Sequence, residues 1–204
     1  IKPSTLTDGA KVQVLLGRLA AEIPGVGERL LLTEEAQGAH VASQSFLGFM
    51  QRSYPAGLDG DTSMASVAAL AAPAPNGRIV FAELARAYYQ GDARALFTDY
   101  LTLTLRLHLT LWIRYGVALE SNQQNSTVVL SRGTPQLRLL LKDNDAPRID
   151  TEHLVQRRPD LAGLVQGLQD PRIRVTDPLP LAQMVVTITL QLNIGAIVEA
   201  LAEV

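Results

Sequence analysis

Residues 93–119 run without a turn signal, and inside them the stretch LTLTLRLHLTLW alternates leucine with something else. Alternation by itself would make a strand. Yet Asp99, Thr102, Arg106, Thr110 and Arg114 also form one polar stripe at spacings of three and four, with Phe97, Leu101, Leu105, His108, Trp112, Tyr115 and Leu119 lining the opposite side. Length decides between the two periods, because a strand usually runs about 5–6 residues. A single long buried helix is expected here.

The flanking segments read by the same rules. Residues 9–23 place Val12, Leu15, Leu16, Leu19 and Ala20 at helical spacing, with Thr7 or Asp8 as the cap and Pro24 beyond the end. GERLLLTEE suggests a short strand. Phe46, Phe49 and Met50 suggest a helix over 39–55, weakened by Gly48, and small residues suggest another over 63–72. SYPAGLDGDT is loop by its Gly, Pro and Asp content. STVVLS and QLRLLLK, joined by RGTP, predict a hairpin over 126–142. KDNDAPRIDTE follows as a polar loop, 159–168 and 180–204 read as helices, and residues 172–175 suit a short strand. The expected class is α+β, helix-rich with long buried helices and a small antiparallel sheet containing the hairpin. A single domain over 1–204 is expected, its candidate internal boundary being PAPNG at 73–77.

Composition narrows the function classes. The 204 residues contain no cysteine, which removes disulfides, thiolate zinc sites, cysteine nucleophiles and thiolate-ligated iron–sulfur clusters built from this chain. Eighteen basic and twenty acidic side chains give a net charge of −2, mixed along the chain, so nucleic acid is not an expected partner. No charged-then-apolar leader opens the sequence, which reads as a fragment with no signal peptide. The apolar tail carries Gln183, Thr187, Thr189, Gln191 and Asn193, which a lipid-facing span would rarely tolerate; a buried helix, and no membrane contact, is expected.

One stretch breaks the hydrophobic pattern. In LESNQQNSTVVL, Ser121 to Asn125 are five polar residues between an apolar run and a β-branched one, with Glu120 just before them. Such a junction brings amides and a carboxylate together and suits a ligand site. The same residues suit a helix cap and polar turn, and spacing alone favours the turn.

YGVALESNQQNSTVVL followed by LLLKDND resembles the signature region of the aerobactin synthetase (IucA/IucC) family, the NRPS-independent siderophore synthetases. There a helix ends in Tyr-Gly, a Glu-x-His-x-Gln-Asn motif and a strand follow, and an Arg-Asp pair closes the hairpin. FTDYLTLTLRLHLTLWIRYG and VTITLQLNIGAIVEAL are similar to that family's C-terminal half, so the resemblance covers essentially the whole chain as a palm- and thumb-like region. It implies a cytoplasmic enzyme of siderophore biosynthesis and iron acquisition, a ligase. With ATP and Mg2+, such an enzyme activates a carboxylic acid, citrate or a derivative, as an acyl-adenylate and joins it to an amine or alcohol. A homodimer is compatible with it. Glu120, Gln124 and Asn125 match the motif's Glu, Gln and Asn and would contact nucleotide or metal; Asp143 matches the Asp of Arg-Asp as a metal ligand. Ser4 and Thr7 align with a Ser-x-Arg-Thr phosphate motif.

The departures fall on cations. Asn122 stands at the histidine position, Lys142 at the arginine and Leu6 at the upstream arginine. Asn122 and Lys142 would therefore carry the catalytic positions with altered chemistry, since an amide moves no proton and an ammonium lacks the planar two-point grip of a guanidinium. This leaves open a degenerate relative that binds a ligand or partner without catalysis. The family's C-terminal half is also grouped with siderophore ferric-iron reductases, whose terminal cysteine cluster this chain lacks.

Other candidates weigh less. His108 reads as a core histidine bonded to a backbone or hydroxyl group, and His40 and His153 as surface residues without metal-ligand partners. Glu34 and Glu35 suit a carboxylate pair or the acidic first turn of a helix. Asn144 and Asp145 read as a solvated hairpin exit, and GLDGDT lacks the spacing of a phosphate loop.

Overall fold

The structure is a computed structural model describing residues 2–202 except Ser43, Asp59 and Pro135. In chain order it contains helix α1 (Pro3–Ala21) and strands β1 (Leu30–Leu32), β2 (Glu34–His40), β3 (Gly48–Ser53) and β4 (Thr62–Ser66). Helices α2 (Val80–Tyr88) and α3 (Ala93–Tyr115) follow, then strands β5 (Val117–Ala118), β6 (Ser126–Ser131), β7 (Arg138–Leu141) and β8 (Arg148–Asp150). Helices α4 (Thr151–Arg157) and α5 (Ala162–Gln166) and strand β9 (Arg174–Val175) lead to a C-terminal rod of α6 (Pro178–Met184), a π-helical stretch (Val185–Gly195) and α7 (Ala196–Ala202). The class is α+β and helix-rich. The hairpin of 126–142 forms as β6 and β7, Val128 pairing with Leu139, inside a four-stranded sheet ordered β1-β7-β6-β4. That sheet is mixed, because β1 runs parallel to β7.

The long helix forms, but of the inner face expected on it only His108 and Tyr115 are fully buried. Asp92 caps α3 by accepting a hydrogen bond from the Ala95 amide at 2.8 Å, and Gly116, at φ 65°, closes it in the left-handed conformation that glycine adopts without steric cost. Leu96, Tyr100, Leu103, Leu107, Leu111 and Tyr115 are buried, whereas the expected Phe97, Leu101, Leu105 and Trp112 are only half-buried. Leucine at every second position supplies apolar side chains all round the cylinder, so neighbours choose the face. Asp99, expected in a solvated stripe, is instead a clamp: it accepts from Arg29 at 2.5 Å, the Tyr89 hydroxyl at 2.6 Å and the Leu137 amide at 3.2 Å.

Three local expectations fail for tertiary reasons. Among the described residues of 39–55 there is one 3-10 turn, Ser45–Leu47, in place of the expected helix, and the rest completes the β2–β3 hairpin, in which Ala39 pairs with Phe49 and Gly38 with Met50. Gly38 permits this, since a Cβ there would lie 2.5 Å from both Leu6 Cδ2 and the Phe49 carbonyl oxygen. Residues 63–72 begin as β4, held by pairing with β6 from Thr62 opposite Ser131 to Ser66 opposite Thr127; a partner strand outweighs weak helix propensity. Helix α1 starts at Pro3, whose missing N–H costs nothing in a first turn. Asp8 is therefore no cap for α1. It is fully buried and accepts from the amides of Gln169 (2.9 Å) and Asp170 (2.8 Å).

The main core runs from Val12 on α1 through α3 and the sheet to Ile197 on α7. The C-terminal rod is buried on one stripe only, at Leu181, Val185, Thr189, Asn193 and Ile197, while Leu179, Val186, Leu190, Leu192 and Val198 are exposed. By length and composition it is apolar enough to cross a membrane. Its polar Thr189 and Asn193, however, face the protein.

Candidate functional site

The polar cluster builds its own turn between β5 and β6. Asn122 Oδ1 accepts from the amides of Gln124 (2.9 Å) and Asn125 (3.0 Å), the self-capping that makes Asn a turn residue. Asn125 is buried: its Nδ2 donates to the Glu120 carbonyl (2.9 Å), and its Oδ1 accepts from Lys142 Nζ (3.2 Å). Lys142 leaves β7 on the adjacent strand and also donates to Asp143 Oδ2 at 2.6 Å. The hairpin register thus brings Asn125, Lys142 and Asp143 together.

The β2–β3 hairpin supplies the facing wall. Glu35, 5% exposed, accepts through Oε1 from the Thr33 hydroxyl (2.7 Å), Arg52 Nε (2.6 Å) and the Asp143 amide (2.9 Å). The other arm of Arg52 pairs with Asp143 Oδ1. Desolvation works against the Arg52 charge, but the Glu35 and Asp143 carboxylates outweigh it and hold its pKa above the ordinary value. Asp143 sits at φ 55°, a left-handed conformation that aspartate tolerates better than most residues. Between these walls lies an open cleft of about 340 Å³ lined by Thr5, Met50, Arg52, Asp143 and Asp145.

Asn125, Lys142 and Asp143 converge; Asn122 stands beside them with its side-chain oxygen engaged by its own loop. Glu120 and Gln124 are exposed. Ser4 is half-buried and Thr7 exposed on the first turns of α1, where the residue between them that lines the cleft is Thr5. Leu6 packs toward Gly38. Among the described residues no three His, Asp or Glu side chains gather as a ready metal cage. Asn144 is buried and Asp145 lines the cleft, so neither is a plain solvated exit. His108 is buried, but its Nε2 has no hydrogen-bond partner, and burial lowers its pKa to about 4.

Local reading missed Arg52 and weighed Glu35 only as half of a carboxylate pair or as the first turn of a helix, whereas the two meet here. Their signal was the alternation of Met50 and Arg52 along one strand face, which is visible only once the segment is known to be a strand. Glu34, considered as Glu35's partner, turns to α1 and accepts from Gln13 Nε2 at 2.9 Å.

Comparison with known proteins follows the same lines. Residues 94–204 match the family described as ferric iron reductase FhuF-like transporter. No curated protein matches the chain. In fold it is similar to aerobactin synthetase IucC from a hypervirulent pathotype of Klebsiella pneumoniae, with TM-score 0.78 and 22% identity over 100% of this chain and 37% of that one. The petrobactin biosynthesis protein AsbB from Bacillus anthracis str. Sterne gives TM-score 0.76 and 18% identity over 100% of this chain and 36% of that one. ATP-bound aerobactin synthetase IucA from the same Klebsiella pathotype gives 0.69 and 14% over 98% and 37%. The chain thus spans little more than a third of the length of these structures, and at such identities the likeness is one of fold. With more than half its length matched by the family model and its whole length by the synthetase fold, the chain belongs to the FhuF-like family and is built as the IucA/IucC synthetases are.

Proposed function

We propose that this chain supplies part of an ATP and Mg2+ site for siderophore biosynthesis. The reaction is the condensation of a carboxylic acid, citrate or a derivative, with an amine or alcohol. What carries the reading is the convergence of Arg52, Lys142, Asn125 and Asp143, from three segments distant in sequence, on and beside one open cleft. Activating a carboxylate as an acyl-adenylate is the chemistry ATP brings, and it calls for cations beside the phosphates. Arg52 offers a fork already oriented by Glu35, Lys142 a point charge fixed by Asn125, and Thr5 a hydroxyl where Ser4 and Thr7 were expected to serve. Magnesium bound with a nucleotide needs only one or two protein carboxylates. Asp143 and Asp145 lie on the cleft and fit that need; Glu120 and Gln124 would reach a ligand from the solvent side of the loop. The ATP-bound IucA relative supports a nucleotide in this fold. A cytoplasmic location and small-molecule substrates accompany this reading, and a homodimer is compatible with it.

A second reading, a non-catalytic binding relative, is favoured by one observation. Asn122, at the family's histidine position, spends its side-chain oxygen on two amides of its own loop. As for the reductase in the family's description, no residue of this chain offers a thiolate for an iron–sulfur cluster.

Calorimetric titration with Mg·ATP tests the site: heat that is lost in Arg52→Ala is expected, and no heat with the wild type would remove the nucleotide reading. Pyrophosphate release with citrate and a polyamine, in the wild type and in Asn122→His, then separates enzyme from binder. A rise on restoring histidine supports the enzyme; none in either protein supports the binder.

A further inference from the structure

The polar loop is held from behind by the C-terminal rod. Asn193, 0% exposed in the π-helical stretch, uses its whole carboxamide. Its Oδ1 accepts from the Tyr100 hydroxyl of α3, and its Nδ2 donates to the Ser121 carbonyl (2.8 Å) and the Ser126 hydroxyl (3.1 Å). Ser126 Oγ in turn donates to the Ser121 carbonyl at 3.4 Å. Ser121 and Ser126 bracket the segment that bears Asn122, Gln124 and Asn125. One buried amide therefore staples both ends of that loop.

The orientation of this amide is set by chemistry. The Ser121 carbonyl can only accept, so the NH₂ group must face the loop, and Oδ1 is left to accept from the Tyr100 hydroxyl. Burial holds the Tyr100 pKa well above its ordinary value, which keeps the hydroxyl a donor. Helix geometry delivers the amide to this place. An α-helix has 3.6 residues per turn, so side chains four apart drift around it by about 40° per step. The stripe Leu181, Val185, Thr189, Asn193, Ile197 keeps that spacing through five positions and still faces the protein. The wider turns of the π stretch drift the other way and cancel the rotation. Such stretches are rare in proteins and frequent at functional sites.

We propose that Asn193, oriented by Tyr100, is a positioning residue for the loop that bears Asn122, Gln124 and Asn125, and that the π-helical register of the last helix is what aims it. The proposal rests on the nucleotide reading above for its consequence in binding. Its structural content stands apart from that reading.

Hydrogen exchange on the Asn193→Leu and Tyr100→Phe proteins tests it, alongside Mg·ATP titration. The amides of Gln124, Asn125 and Ser126, all bonded to Asn122, should exchange about tenfold faster in both variants, the effect of losing roughly one net hydrogen bond. Amides of the β6–β7 ladder from Thr127 onward should keep their wild-type rates, and Mg·ATP should bind about tenfold more weakly. Unchanged exchange at the loop, or a uniform acceleration that includes the β6–β7 ladder from Thr127 onward, would overturn the assignment. If Asn193→Leu does not fold, Tyr100→Phe, which deletes one hydroxyl, decides by the same amides. A wild type that fails to bind Mg·ATP would remove the nucleotide reading while the exchange ratio still decides whether Asn193 positions the loop.

Discussion

Glu35→Ala probes the joint on which the cleft depends. The Glu35 carboxylate is nearly inaccessible, and a single oxygen accepts from the Thr33 hydroxyl, the Arg52 guanidinium and the Asp143 amide. Hydrogen bonds to a charged partner contribute about 1.5–3 kcal/mol each. The Arg52 side chain is 34% exposed, so solvent replaces much of its share. Thr33 retains a long contact with the Leu141 carbonyl, at 3.4 Å. The Asp143 amide loses its acceptor outright. These terms sum to about 3 kcal/mol, a large part of the roughly 5–15 kcal/mol that holds a domain folded. For a chain of this size that is a fall in Tm of about 6–12 °C. Urea unfolding followed by the fluorescence of Trp112, the only tryptophan, measures it. Glu35→Gln keeps an acceptor in place and should cost about half as much. A Glu35→Ala protein within about 0.5 kcal/mol of wild type would refute the claim that β2, β3 and the 142–145 loop are joined through this carboxylate.

Other consequences can be measured the same way. Asp8→Ala removes the acceptor of the part-buried amides of Gln169 and Asp170 and should lower unfolding stability by about 1–3 kcal/mol; Asp8→Asn, which keeps an acceptor, should lower it less. Gly116→Ala forces a side chain into the left-handed conformation with its Cβ 3.1 Å from Asp150 Cβ, and should cost about 1–2 kcal/mol in urea unfolding. The His108 imidazole has its pKa lowered from 6.5 to about 4 by burial, so on acidification the unfolded chain takes up the proton first. Its contribution to stability is complete above pH 6.5 and is lost as pH falls toward about 4, by about 3 kcal/mol in all. Unfolding of His108→Leu at a series of pH values should show that slope flattened.

The local grammar of the chain determined the elements it could specify within a few turns: the α3 helix, though read on to Leu119 where Gly116 ends it and Val117–Ala118 turn to strand, the hairpin of 126–142, the helical tail and the polar interruption after Leu119. Each rests on spacing or turn chemistry that acts between near neighbours. Tertiary structure decided the rest. With leucine on every side, α3 acquired an inner face only when α1, α2 and the sheet packed around it. The stretch around Phe49 became strand because β2 was there to pair with it, and Asp8 became a clamp because a loop 161 residues away met it. Arg52 reaches Asp143 across 91 residues of sequence. No window of local pattern contains both, and their meeting depends on the parallel pairing of β1 with β7, which brings Thr33 and Glu35 to the end of the hairpin. The motif could show which side chains gather at Asn125; only the folded chain decided which cation would face them.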